Sequence, residues 1–197
     1  MSYEHILGRI RSTVAGNRYL MPTRGVPAGQ QEAMAEVASL LNDPYVPADT
    51  VRRRIQQLHG SGRLDRPMKL SALGVLAASP RVRDYAEAAR LAGQQELVAL
   101  EEGGPHVDAY MASADRHRGV VAFLMGHPAV ALDWFARALA RHRSAENVGN
   151  VLAALVQLGD PDEARAILAD VRDGWPEEVR AEVEALIDAD DDLRALR

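Results

Sequence analysis

Two stretches of this chain lie 33 residues apart and share one turn chemistry, and that repeat constrains the fold more than any other feature. The first runs from Gly126 to Ala138 and the second from Gly159 to Val171. Gly126 matches Gly159, Pro128 matches Pro161, Ala131 matches Ala164, and Phe135 matches Leu168. Each match has a physical reason. A glycine takes the positive φ that ends one helix. A proline suits the first turn of the next helix, where its missing N–H costs little. Asp160 is a good N-cap for the helix that follows it. Ala131 and Ala164 are small where two helices must approach closely. Phe135 and Leu168 follow one turn later on the same face and fill the space between hairpins. Before each glycine the sequence predicts a helix, over 114–125 and 146–158.

This pattern resembles the tetratricopeptide repeat over about residues 110–175. Gly119 also falls where that family's first helix carries a glycine. Other family positions differ. The early Trp position holds Asp115 in one copy and Val148 in the other, and the Tyr position holds Ala122 and Leu155. Two repeats cannot close a solenoid, so flanking helices must cap it. Residues 176–189 read as one cap, with Pro176 in its first turn and Val179, Val183, Leu186 and Ile187 on one stripe. Residues 82–102 read as another helix, closed by Gly103, Gly104 and Pro105. The resemblance implies a partner groove along the first helices, lined by Arg116, Val120 and Phe123, then Glu146, Asn150 and Gln157. The other reading of the same residues is a generic helical bundle whose hairpins share turn chemistry.

The N-terminal part reads differently. Residues 3–14 form a short amphipathic helix through Ile6, Ile10 and Val14, and a Gly- and Pro-containing loop covers 16–29. Residues 30–41 are predicted helical through Met34, Val37, Ala38 and Leu41. Next comes a helix in which Val51, Ile55 and Leu58 share a buried face. The stretch from Val37 to Asn42, then Val46 to Val51, then Leu58 to Leu64, resembles the winged helix-turn-helix family over about residues 28–70. Asp43, Pro44 and Tyr45 are an insertion where that family's turn is tight. The resemblance implies DNA contact through Thr50, Arg52, Arg53, Arg54, Gln56 and Gln57. Arg reads guanine and Gln reads adenine in a major groove. Arg63, Arg66 and Lys69 would lie on the wing and meet phosphates. The competing reading is a solvated arginine face on an ordinary helix.

Charge is unevenly spread within a formal net charge of −5. Residues 1–70 hold ten Lys and Arg against six Asp and Glu, whereas the rest holds 13 against 22. Such asymmetry suggests two tasks, one with an anionic partner. There is no cysteine, so disulfides, thiol nucleophiles and cysteine-bound zinc are excluded. No apolar signal core follows the N-terminus, and the longest apolar stretch, 119–132, is interrupted by Gly126, His127 and Pro128. Phosphate-binding loops, dinucleotide fingerprints and zinc-protease motifs are missing. The six histidines are scattered, and His117 and His142 read as surface or interhelical residues. The acidic run at 188–192 reads as a frayed tail, since it lacks the Gly and Glu of a calcium loop.

The expected fold is all-α: a small, basic helix-turn-helix-like module over 1–75, then a tetratricopeptide-like helical-repeat module over 76–197. The expected protein is a cytoplasmic, non-enzymatic regulator without cofactor or metal. Its expected partners are double-stranded DNA, a protein or peptide, and a second copy of itself, with no membrane. The alternative is a protein-interaction adaptor or chaperone-like scaffold without DNA contact, its arginines paired to its own acidic half.

Overall fold

A computed structural model describes residues 2–15 and 25–197, so the part of the expected loop at 16–24 lies outside the described residues. Among the described residues all regular structure is helical, in ten α-helices and a short 3-10 helix, and the fold is all-α. In order these are α1 (Tyr3–Ala15), α2 (Ala28–Asn42), α3 (Ala48–Gly60), α4 (Arg66–Ala78), α5 (Tyr85–Glu102), α6 (Val107–Leu124), α7 (Pro128–Arg141), α8 (Ala145–Gln157), α9 (Pro161–Gly174) and α10 (Glu177–Ala189). The 3-10 helix spans Asp191–Leu196. The chain divides into a terminal unit, Met1–Thr23 with Ala122–Arg197, and a central unit, Arg24–Val121. This division does not follow the boundary expected at residue 75.

In the terminal unit the repeated glycines act as the spacing predicts. Gly126 and Gly159 take φ of 78° and 82°. The next amide after each reaches back five residues, His127 to the Ala122 carbonyl and Asp160 to the Leu155 carbonyl, at 2.9 and 3.0 Å. Both helix ends are therefore closed by the same left-handed glycine turn, which satisfies carbonyls that a helix leaves open. Pro128 and Pro161 open the following helices, and Asp160 caps its helix through the Glu163 amide. Ala131 and Ala164 are fully buried, and Phe135 and Leu168 are nearly so. Phe123 packs its ring at 6.5 Å from that of Phe135.

Helix α8 is the axis of this unit. From Val151 to Leu155 every residue is buried, because α7, α9, α10 and the 3-10 helix all pack on it. Only an Ala-, Val- and Leu-rich segment can be apolar all round. Helix α1 packs on α7 and α9. It is fastened by polar contacts to the start of α9: Tyr3 donates to Asp160 Oδ2 at 2.6 Å, and Arg11 Nε to Glu163 Oε1 at 2.6 Å. Trp175 Nε1 donates to the Val14 carbonyl. Residues 3–15 thus belong with the repeat rather than with the helices that follow them in sequence.

Helix α10 starts at Glu177, with Pro176 as the residue before it. The acidic tail is not frayed. Asp190 caps the 3-10 helix through the Asp192 amide, and Leu193 and Leu196 are buried on the side that an i, i+3 register provides. Arg197 donates to the carbonyls of Ile187 and Asp188 at 3.0 and 2.8 Å, closing the end of α10.

In the central unit α2, α3 and α4 enclose one core of Ala33, Val37, Val51, Ile55, Leu58, Leu64, Met68 and Ala72. The expected wing is absent. Asp65 accepts from the Met68 amide and Pro67 sits in the first turn, so the chain enters helix α4 where the wing was expected. Helices α4 and α5 pack along one another, joined by residues 79–84. A polar layer is buried beside them. Ser71 and Ser113 share a hydrogen bond of 3.2 Å, and His117 Nδ1 lies 3.6 Å from where a Cβ on Gly74 would sit. Burial, with a smaller contribution from Arg116, pushes the His117 imidazole down to about 3.

Two measurements follow from this packing. Ala131→Leu overfills the crossing of α7 and is expected to cost about 1–3 kcal/mol in chemical denaturation. Ala140→Leu on the exposed side of the same helix is the control, expected to stay within about 0.5 kcal/mol. Equal effects would mean that the crossing has room. His117 is neutral when folded and gains a proton more readily when unfolded. Its contribution is therefore fully present above pH 6.5 and is lost as pH falls from there toward about 3. The stability of the wild type relative to His117→Leu should fall over that window; a constant difference would show that the imidazole does not change its proton affinity on folding.

Candidate functional site

The surface that carries the predicted binding residues is built on α3. Val51, Ile55 and Leu58 are buried at 0, 0 and 1% exposure, which fixes the rotation of the helix. Arg52, Arg53, Gln56 and Gln57 are consequently exposed, with Thr50 and Arg54 half-buried. Gly62, with φ 77°, and the Arg63 amide bonded to the Leu58 carbonyl at 2.9 Å end α3 with the same left-handed turn used in the repeat.

The predicted residues divide among three grooves and one turn. Thr50, Arg53, Arg54 and Gln57 line a shallow groove against α2, with Glu36 and Leu40 on the far wall. Arg52 and Gln56 face the other way, toward α4 and α5, in a groove that includes Leu73, Glu87 and Leu91. Arg66 and Lys69 sit in the first turns of helix α4, where they border a groove against α5 with Leu97 and Glu101. Arg63 lies on the turn between α3 and α4 and is exposed.

Carboxylates claim part of this basic set. Glu36 of α2 accepts from Arg54, and from Arg63 at 3.1 Å. Arg54 first and Arg63 second hold its carboxyl below the usual range. Arg66 lies 3.6 Å from Glu102. Arg52 and Arg53 form no ion pair among the described residues; Arg53 donates to the Thr50 hydroxyl at 3.3 Å. Arg52 is near enough to Glu87 to add a small lowering to the effect of Arg90 on that carboxyl. Two guanidiniums thus remain open on α3, one on each side of its outward ridge.

The inserted turn before α3 is held by a residue that local spacing does not reveal. Arg81, beyond the end of α4, donates to the carbonyls of Leu40, Leu41 and Val46 at 3.1, 2.8 and 2.6 Å, and also to that of Asp43. It caps the C-terminus of α2 and braces the turn together. The Asp43 carboxylate accepts from the Tyr45 amide at 2.9 Å, and Tyr45 stands 91% exposed. The insertion therefore makes an ordered step into α3.

The predicted groove residues are also distributed. Arg116 and Val120 are half-buried on α6 within the central unit, while the other four belong to the terminal unit. Phe123 is engaged with Phe135. Glu146, Asn150 and Gln157 share the open face of α8, with Asn150 donating to the Glu146 carbonyl at 2.9 Å. The neighbouring Asn147 is the buried amide, donating to the His142 carbonyl at 2.7 Å. Among the described residues no group of three metal-binding side chains converges, and no helix is long and apolar enough to cross a membrane.

Arg81→Ala is expected to cost about 1–3 kcal/mol, because charge-assisted bonds to carbonyls are lost. Amide exchange at Val46 and Thr50 should rise with it. Arg81→Lys should restore little, since an ammonium cannot span four carbonyls. Unchanged stability and exchange in Arg81→Ala would show that solvent serves these carbonyls equally well. No family model, no curated protein and no solved structure matches this chain.

Proposed function

We propose that this protein is a non-enzymatic, DNA-binding regulator in which α3 contacts double-stranded DNA. In this reading the helical-repeat part, which we assign to the tetratricopeptide-like class, binds a protein partner or a second copy of the chain. One observation carries the DNA reading. The same rotation that buries Val51, Ile55 and Leu58 turns Arg52, Arg53, Gln56 and Gln57 outward. Arginine supplies phosphate attraction and guanine recognition, and glutamine supplies adenine recognition. The arrangement of α2, the braced turn and α3 is compatible with a helix-turn-helix, with α4 in place of the wing.

A second reading is favoured by a specific observation. Glu36 engages two of the basic residues of this surface and Glu102 a third. An adaptor that used these arginines only to order its own surface would show such pairing. It would need no DNA.

Fluorescence anisotropy on a random-sequence duplex over a salt series separates the two. The regulator is expected to bind at micromolar or tighter Kd, with log K falling steeply with log salt at roughly −0.9 per phosphate contacted. Arg52→Ala with Arg53→Ala should weaken binding and flatten the slope without disturbing any ion pair. Glu36→Gln should do the opposite, because it releases Arg54 and Arg63 toward phosphate. No binding at low salt, or a double variant that binds like the wild type, would overturn the DNA reading in favour of the adaptor.

A further inference from the structure

We propose that the outward face of α5 is a homodimer interface, in which two copies pack α5 against α5 antiparallel about a two-fold axis. This deepens the reading that the chain pairs with a second copy, and it does not depend on DNA.

The face is apolar where soluble helices usually are not. Leu97 is 62% exposed and Leu100 56%. Helix α5 buries Ala88, Leu91, Ala92, Gln95 and Ala99 in its own unit, so its inner side is already occupied. The two exposed leucines are left over from that packing. Beside them runs a shallow groove between α4 and α5, floored by Leu70 and Val98.

The charges on this face select a second copy as the occupant. Arg90, Gln94, Leu97 and Glu101 are spaced by four, three and four residues, so they form one stripe along the helix, and all four are exposed. The stripe is basic at its start and acidic at its end. A two-fold axis between Gln94 and Leu97 brings Arg90 of one copy opposite Glu101 of the other, twice. Gln94 then meets Leu97 of the second copy, and the two Leu97 side chains lie about one helical turn apart across the axis, where each shields the other. Such an interface uses the same patch on both partners, as closed dimers do. Arg90 can join it without leaving its present contact. Its Nε and Nη2 donate to Glu87 at 2.6 Å each, and its Nη1 edge carries no bond among the described residues. Antiparallel pairing is required: a parallel one would set Arg90 against Arg90 and Glu101 against Glu101.

Sedimentation equilibrium of the full chain across a hundredfold concentration range, without DNA, tests this. The wild type is expected to reach a dimer. Leu97→Asp should raise the dissociation constant by at least about tenfold, and circular dichroism should be unchanged, because the side chain is exposed. Arg90→Glu and Glu101→Arg should each weaken the dimer, since each sets like charges together twice. An equimolar mixture of these two variants should dimerise again, and so should the chain carrying both changes. A wild type that stays monomeric overturns the proposal, as does a dimer indifferent to these changes or single variants that the mixture does not rescue. The Arg52→Ala, Arg53→Ala chain should dimerise like the wild type, so failure of the DNA reading and failure of this one remain distinguishable.

Discussion

One guanidinium fixes how this protein presents its most probing surface. Helix α2 ends with carbonyls that its own geometry cannot satisfy, and the three-residue insertion after it adds another. Arg81 gathers three of these carbonyls, of Leu40, Leu41 and Asp43, together with that of Val46. Without that clasp the step from α2 to α3 would be held only by the Asp43–Tyr45 turn, the Glu36 pairs and the buried ridge of Val51, Ile55 and Leu58. With it, both the start of α3 and its rotation are set. The outward direction of Arg52, Arg53, Gln56 and Gln57 is a consequence of those two constraints.

The terminal unit uses a different economy of contacts. Its hairpins are spaced by glycine turns and by alanines that let helices approach. Its polar residues then serve two purposes at once. Asp160 caps α9 through the Glu163 amide with one oxygen and receives the Tyr3 hydroxyl with the other. Burial, then Asp160, raises the Tyr3 hydroxyl well above its ordinary range, so it remains a donor throughout the physiological range. Helix α1 is thereby tied to residues more than 150 positions away in sequence. Residues 3–15 thereby close one flank of this unit.

What the sequence made legible was local. The glycine, proline and alanine spacing at 126–138 and 159–171 has a turn-by-turn physical meaning, and the turns form as that meaning requires. Likewise the period of Val51, Ile55 and Leu58 identifies both the helix and its buried side. The errors arose where local signals competed. Gly60, Gly62 and the following Arg63–Leu64 suggested a step into a wing, yet Asp65 and Pro67 were already a helix start. Asp188 to Asp192 suggested disorder by composition, while Leu193 and Leu196 held the register that folds the tail back. The Arg81 clasp, the Glu36 pairs and the docking of α1 were not readable at all, because each joins residues that no local pattern relates. Glu36 matters most for the site: it decides which arginines of the predicted surface remain open.

In the proposed function α3 is the face that meets double-stranded DNA. Titrating a nitrogen-15-labelled chain with a short random-sequence duplex, and following amide and side-chain signals residue by residue, tests it most directly. The largest shifts are expected on Arg52, Arg53, Gln56 and Gln57, including the glutamine side-chain amides, with α8 and α10 spared. A spectrum unmoved by duplex, or shifts centred away from α3, would contradict it.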